Sequence, residues 1–259
     1  MPPARLLLWL LSLACLAVAA HAFSVQPPPV WVAALLLLLL ATVATVGVLF
    51  PRLEVFADVL QRAPGRGAVA LTFDDGPHPE STRRVLSLLA EHGARATFFV
   101  VGHKAELYPD VVREIVAAGH TLGLHGYAHD RLYSLRSERY VRRDVERTQA
   151  AIEQACGVRP TLFRPPVGFL SFSTSFAAER AGIALVAWSA RGLDGYRGAR
   201  AERVLARLLR GLEDGAIVLL HDAAEREDFE PVSVAVLPAL LAKLREQGLR
   251  AVTVEELFA

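Results

Sequence analysis

From Ala68 onward, short apolar runs alternate with helical segments, and the alternation repeats seven times before the chain ends. Ala68-Val69-Ala70-Leu71 is apolar enough to be a parallel strand buried on both faces. Strands are expected near 68–74, 96–101, 121–125, 161–164, 184–189, 216–221 and 250–254, and helices such as 201–212 and 232–247 fill the gaps. Seven β/α repeats of this kind predict an α/β fold of the TIM-like barrel type. A flat doubly wound sheet is the alternative.

The polar chemistry gathers at the strand ends. Thr72-Phe73-Asp74-Asp75-Gly76-Pro77-His78-Pro79 throws two adjacent carboxylates onto a Gly-Pro turn. Such a pair repels itself and costs free energy unless a cation or a basic partner compensates. The next strand with chemistry at its end runs into His125-Gly126-Tyr127-Ala128-His129. The i, i+4 spacing puts two imidazoles on one face of a turn, where both reach one metal. With Asp75 as third ligand, two neutral imidazoles and a carboxylate bind a divalent ion facially and leave positions open for water and substrate. Three later strands end in Arg164-Pro165-Pro166-Val167-Gly168, in Trp188 leading to Asp194, and in His221. Each has an ordinary structural account taken singly: a surface ion pair, a core indole, a turn histidine.

Together these five sites resemble the motifs of polysaccharide deacetylases of the NodB-homology type, similar to carbohydrate esterase family 4. The resemblance covers roughly Gly67 to Ala259, in the order Thr72–Pro77, His125–His129, Arg164–Gly168, Asp194 and Leu219–His221. It implies a distorted, incompletely closed TIM-like (β/α)7 barrel of NodB-homology type and a hydrolase acting on carbon–nitrogen bonds other than peptide bonds. The substrate implied is an N-acylated amino sugar of a polysaccharide or lipid-linked glycan, the acyl group acetyl or formyl. By resemblance, Asp74 is the catalytic base, Asp75, His125 and His129 hold the metal, and Arg164 orients the base. Asp194 supports the charged network, His221 is the general acid, and Leu219 lines the acyl pocket. Pro166, Val167, Gly168 and Trp188 are the substrate-binding residues, with a backbone N–H near Val167 facing the oxyanion. Zn²⁺ suits the ligand set, and Co²⁺ or Ni²⁺ would fit it.

The chain departs from the family pattern where Gly126, Val167 and Gly195 replace a hydroxyl residue, an aromatic residue and a tryptophan. None of the three carries chemistry; all shape the sugar groove. A membrane-anchored carbohydrate-binding protein that kept the pocket but lost turnover is the rival function. The presence of Asp74, His221 and all three ligands favours the enzyme.

Residues 1–50 form a membrane region, 51–66 a linker and 67–259 the catalytic domain. Two apolar segments, 6–23 and 30–50, occupy the membrane region. The second is uncharged over 21 residues, long enough to span a hydrocarbon core of ~30 Å. The first reads as a partner helix in a hairpin turned by Pro27-Pro28-Pro29, or as a signal peptide cut near Ala20-His21-Ala22. Arg5 precedes the first segment, and Arg52, Arg62 and Arg66 follow the second, while 24–29 has no basic residue. Positive charge stays inside, which places the catalytic domain in the cytosol, either as a multi-pass protein or, with the first segment cleaved, a single-pass one. A lipid-linked glycan would explain the anchor.

Net charge is +1 from 28 basic and 27 acidic residues, so nothing suggests a nucleic-acid partner. Cys15 and Cys156 are too few and too separated for a disulfide framework. His78, His92, His103 and His120 read as solvated histidines, and 136–147 as a solvated helix face.

Overall fold

The computed structural model describes residues 1–24, 27–226 and 228–259. Val25 and Gln26, part of the predicted 24–29 connection, lie outside the described residues, as does Glu227. In chain order the elements are α1 (Pro3–Ser24), α2 (Val30–Leu49), β1 (Ala68–Asp74), α3 (Ser81–Glu91), β2 (Thr97–Val100), α4 (Gly102–Leu107), α5 (Pro109–Ala117), β3 (Thr121–Leu124), α6 (Glu138–Cys156), β4 (Leu162–Phe163) and α7 (Phe172–Ala181). They continue with β5 (Ala184–Leu185), β6 (Ala190–Arg191), α8 (Ala201–Gly211), β7 (Ile217–His221), α9 (Ser233–Glu246), β8 (Arg250–Val252) and α10 (Val254–Phe258).

Every residue of β1 is buried, and alternate side chains serve two different cores. Ala68 and Ala70 face an inner cluster with Phe99, Leu162, Val186 and Ile217, whereas Val69, Leu71 and Phe73 pack outward under the helices. Period-two alternation with both faces apolar is why the sequence shows an unbroken hydrophobic run here. All strand pairs are parallel, in the order β5-β4-β3-β2-β1-β7-β6. The two ends of this path belong to one stretch, 184–191, which pairs with β4 at its start and β7 at its finish. The sheet therefore curls round on itself as a distorted, incompletely closed barrel, and not as a flat sheet. The single strand predicted over 184–189 is two short pieces because it must leave one neighbour to reach the other.

Two insertions seal the open places. β8 pairs with the first half of β1, through Ala68 to Ala70, while Arg95 ahead of β2 donates to the Ala251 carbonyl at 3.1 Å. It wedges between β1 and β2, and α10 behind it sends Val254 and Leu257 into the inner core. Thr253 starts α10 with a reciprocal capping box to Glu256. At the seam, Leu60 takes a hydrogen bond from Ala187 at 2.8 Å and gives one to Leu185 at 2.9 Å, and Ala63 donates to Gly215 at 2.9 Å. The stretch read as a linker thus adds backbone to the sheet, with Val55, Val59 and Ala63 buried.

α1 and α2 are each long and apolar enough to cross a membrane, and only 6% of each hydrophobic window is buried. Leucines and tryptophans on both stand exposed, among them Leu13, Leu16, Trp31, Leu37 and Leu38. The domain-facing end of the pair is fixed: Arg5 bonds the Glu54 carbonyl at 2.9 Å and Asp58 at 2.7 Å. There the Val48 carbonyl accepts from Leu170 at 3.4 Å, and Phe56 meets Phe172 edge-on at 4.7 Å.

Of the four histidines read as solvated, His120 departs from that expectation. It is buried against Phe98, its Nδ1 accepts from the Ala96 N–H at 3.2 Å, and burial, then Arg95, push its pKa down to about 4.

Candidate active site

A parallel barrel turns every strand's carboxyl end to one rim, and the loops there collect the functional groups. β1 and β7 are in register so that Asp74 lies beside His221. The two reside on adjacent strands whose backbones run about 4.8 Å apart, and their side chains part company above the rim. Asp74 leans toward Arg164, which donates from Nη1 to Oδ1 at 2.7 Å. His221 leans the other way, its Nδ1 3.1 Å from Asp194 Oδ1 while its own backbone N–H donates to Oδ2 at 2.7 Å.

Arg164 is fully buried beneath the rim. Its guanidinium also donates to Thr72 Oγ1 (2.8 Å), the Ala187 carbonyl (3.0 Å) and the Val186 carbonyl (3.3 Å), and lies 4.2 Å over the Phe99 ring. Burial lowers its pKa, and the Asp74 carboxylate opposes that loss. A buried guanidinium with all directions answered holds Asp74 in one orientation.

Asp75, His125 and His129 bring one ligand atom each within 4.8 Å of one another. Asp75 Oδ1 stands 3.1 Å from His129 Nε2 and 3.4 Å from His125 Nε2. The Nδ1 of His125 lies 2.7 Å from the Arg164 carbonyl, an acceptor only, so the proton sits on Nδ1 and Nε2 presents its lone pair. Asp75 Oδ1 is buried with no hydrogen-bond partner, and so is His129 Nδ1. Lone pairs converging at this range need a positive charge among them, and the donor set fits a divalent metal ion. Burial would raise the Asp75 carboxyl, but the imidazoles of His125, His221 and His129 outweigh it and hold it well below the usual range. Burial would lower His125, yet Asp74 and Asp75 raise it. His129 is lowered, by burial above all.

His221 carries the largest consequence. Burial alone would depress its imidazole, but the Asp194 carboxylate, seconded by Asp75 and Asp74, lifts the pKa to about 10. Asp194, almost wholly buried, spends both oxygens on this one residue. Gly195 is required by the close approach: a Cβ there would come within 2.9 Å of His221 Nδ1.

A cleft of about 320 Å³ opens over these groups. Val167, Gly168, Trp188 and Leu219 line it as expected, whereas Pro166 sits behind the wall, packed against Gly126. Gly168 has φ +79°, and a Cβ would strike the Trp188 ring at 2.3 Å. Among the described residues, five non-glycine residues have positive φ, and four of them are Asp75, His129, Val167 and Leu193 on this rim. Backbone strain concentrated at one place is a mark of a functional site.

The structure adds residues that motif spacing did not indicate. Glu225 Oε1 stands 3.5 Å from His129 Nδ1 and accepts from Arg131 Nε at 3.1 Å, and Glu225 and Arg131 line the cleft with Arg191 and Tyr196. Lys104 is buried, and its ammonium ties the Asp75 carbonyl to the Ala224 carbonyl, each at 2.9 Å, joining the loops after β1 and β7. Asp222 is buried beneath the Gly76 turn, bonded by Thr82 at 2.5 Å, and burial lifts its pKa to about 7. A lysine found only twice in the chain was the one sequence signal available for Lys104.

The polysaccharide deacetylase family profile matches residues 61–186, which hold the aspartate pair, both ligand histidines and Arg164. The chitooligosaccharide deacetylase of Sinorhizobium fredii is 35% identical over 207 residues, covering 76% of this chain and 94% of that enzyme. The chain belongs to the polysaccharide deacetylase family. The peptidoglycan-N-acetylglucosamine deacetylase PgdA of Listeria monocytogenes is 36% identical over 190 residues, 73% of this chain, which spans only 38% of that enzyme's length. Among solved structures, a CE4 family pseudoenzyme from Bacillus anthracis shares the fold with a TM-score of 0.70 and 26% identity, over 79% of this chain and 70% of the other. The curled parallel barrel is the architecture of this deacetylase family.

Proposed function

We propose that this polysaccharide deacetylase is a metal-dependent hydrolase that removes the N-acyl group from an amino sugar of a glycan carried at a membrane surface. The observation that carries the reading is the meeting of Asp75, His125 and His129 lone pairs beside an aspartate clamped by a buried arginine. A divalent ion held by those three residues, Zn²⁺ or else Co²⁺ or Ni²⁺, would acidify a bound water and polarise the amide carbonyl. Asp74, oriented by Arg164, takes the proton as water attacks the acyl carbon. A backbone N–H near Val167 would face the oxygen that gains charge, and Leu219 and Trp188, which line the cleft, would wall the acyl methyl. His221, protonated by virtue of Asp194, gives its Nε2 proton to the departing nitrogen. The C–N bond breaks, leaving a carboxylic acid and a free amino sugar.

The anchor is two membrane helices paired as a hairpin, with the domain on the cytosolic side, where Arg5 and Arg52 lie. The lipid-linked substrate is supported by where the hairpin docks. Leu170, bonded to Val48 of α2, is three residues from Val167 on the cleft, a reach of at most about 11 Å. The rival reading, an inactive membrane-anchored carbohydrate-binding protein, draws support from the likeness to the B. anthracis pseudoenzyme. The joint presence of Asp74 and His221 weighs against it, because a binder needs neither. Acyl release from N-acetylated amino sugars is measured while Zn²⁺, Co²⁺ or Ni²⁺ is titrated into metal-free protein. Metal-dependent release that falls at least about 100-fold in Asp74→Asn is expected; no release from any such sugar, free or lipid-linked, overturns the enzyme and leaves the binder.

A further inference from the structure

We propose that a second, arginine-lined cleft beside the catalytic one binds a phosphate group carried by the same glycan. This cleft, of about 590 Å³, is walled by Leu193, Tyr196, Arg197, Arg200, Arg203 and Arg207. Leu193 and Tyr196 line the catalytic cleft as well, and Gly195 between them lies against the His221 ring. The two spaces therefore share one loop as a common wall. A sugar bound with its nitrogen at His221 would turn a neighbouring substituent toward that wall.

The charge there is only partly compensated. Residues 191–211 hold six arginines against Asp194 and Glu202, in a chain whose net charge is +1. Asp194 is turned inward to His221 and neutralises nothing outside. Arg197 is paired with Asp228 at 2.7 Å, and Arg207 donates weakly to the Gly192 carbonyl at 3.4 Å. Neither Arg200 nor Arg203 has a carboxylate within 4.0 Å among the described residues. Arg203 and Arg207 stand four apart on α8, both exposed, an arrangement of like charges that disfavours the helix. Crowded, weakly hydrated guanidiniums with free forks are suited to the planar oxygens of a phosphate. Tyr196, largely exposed at the shared wall, offers a ring face to the sugar between the two sites.

The proposal rests on the deacetylase reading above, and it assigns the phosphate to the substrate. Anionic lipid headgroups would supply the same chemistry from the bilayer, so the test separates the sources. The full chain is placed in nanodiscs of phosphatidylcholine or of phosphatidylcholine with phosphatidylglycerol. Hydrolysis of N-acetylglucosamine 1-phosphate is compared with that of the neutral methyl glycoside, for the wild type and for Arg200→Gln with Arg203→Gln. A loss of about tenfold in kcat/KM on the phosphate-bearing sugar, and under about twofold on the neutral one, is expected in both discs. Equal losses on the two sugars, or no loss on either, overturn it. A loss that appears only in the phosphatidylglycerol disc assigns the arginines to the bilayer and overturns it too. Isothermal titration with inorganic phosphate needs no turnover, so it decides the case even where the hydrolase reading fails. Binding weakened about tenfold in the double variant supports the cleft, and unchanged or absent binding refutes it.

Discussion

Asp194→Asn isolates the charge that keeps the proposed acid protonated. The change is close to isosteric, and the asparagine oxygen can still accept the His221 backbone N–H that now reaches Asp194 at 2.7 Å. What vanishes is the negative charge 3.1 Å from Nδ1. The rise of His221 from 6.5 to about 10 is worth about 5 kcal/mol at about 1.4 kcal/mol per pH unit. A unit charge pair at 3.1 Å gives about 5 kcal/mol at an effective dielectric of about 20, and because burial works against the rise, Asp75 and Asp74 must add to Asp194 to reach it. With the pair gone, burial remains, and the imidazole falls by at least about two pH units. The imidazolium is the working form, so the rate is full below the folded pKa and declines as pH rises through it. The basic limb of kcat against pH must move to lower pH by the same amount. A dication in the neighbouring ligands lowers both proteins' pKa through the same field, and the difference survives it. Acyl release is followed from pH 5 to 11, with metal content and unfolding midpoint checked in parallel. An unmoved basic limb in a folded, metal-loaded variant refutes His221 as the acid held by Asp194.

Two further outcomes are expected. Arg164→Met leaves Asp74 buried without its cation and the Val186 and Ala187 carbonyls without donors, which costs about 3–5 kcal/mol. Urea unfolding of the detergent-solubilised chain measures it, and an unchanged midpoint contradicts the described network. A reporter active only outside the membrane, fused after Ala259, stays silent; an active fusion reverses the proposed cytosolic placement.

The rim groups were legible because a parallel barrel concentrates chemistry at strand ends, and each end is marked by an apolar run followed by a polar break. Asp74, Asp75, His125, His129, Arg164, Asp194 and His221 all follow such runs, and the fold gathers them at one rim. Glu225 and Lys104 stand a few residues beyond the ends of β7 and β2, without a motif to mark them. Glu225 reaches His129 from the loop after His221, and Lys104 reaches back across two loops from a short helix. Contacts of that kind depend on how loops fold over the rim, which local pattern does not encode. The same holds for Leu60 and Ala63, whose backbones complete the seam although their sequence reads as a connector. Local spacing found the strand near 184–189 but not its division, which follows from the sheet closing on itself.

That seam has a consequence for how the enzyme would meet its substrate. A catalytic unit hung on a slack leash can sweep a wide volume, but here the leash is sewn into the barrel it holds, by backbone bonds at Leu60 and Ala63 and by the Arg5 clasp on Asp58. With the hairpin in a bilayer, the height of the cleft is fixed by the few residues from Leu49 to Leu60. The molecule would act as a gauge, trimming only those sugars that a carrier presents at that one elevation.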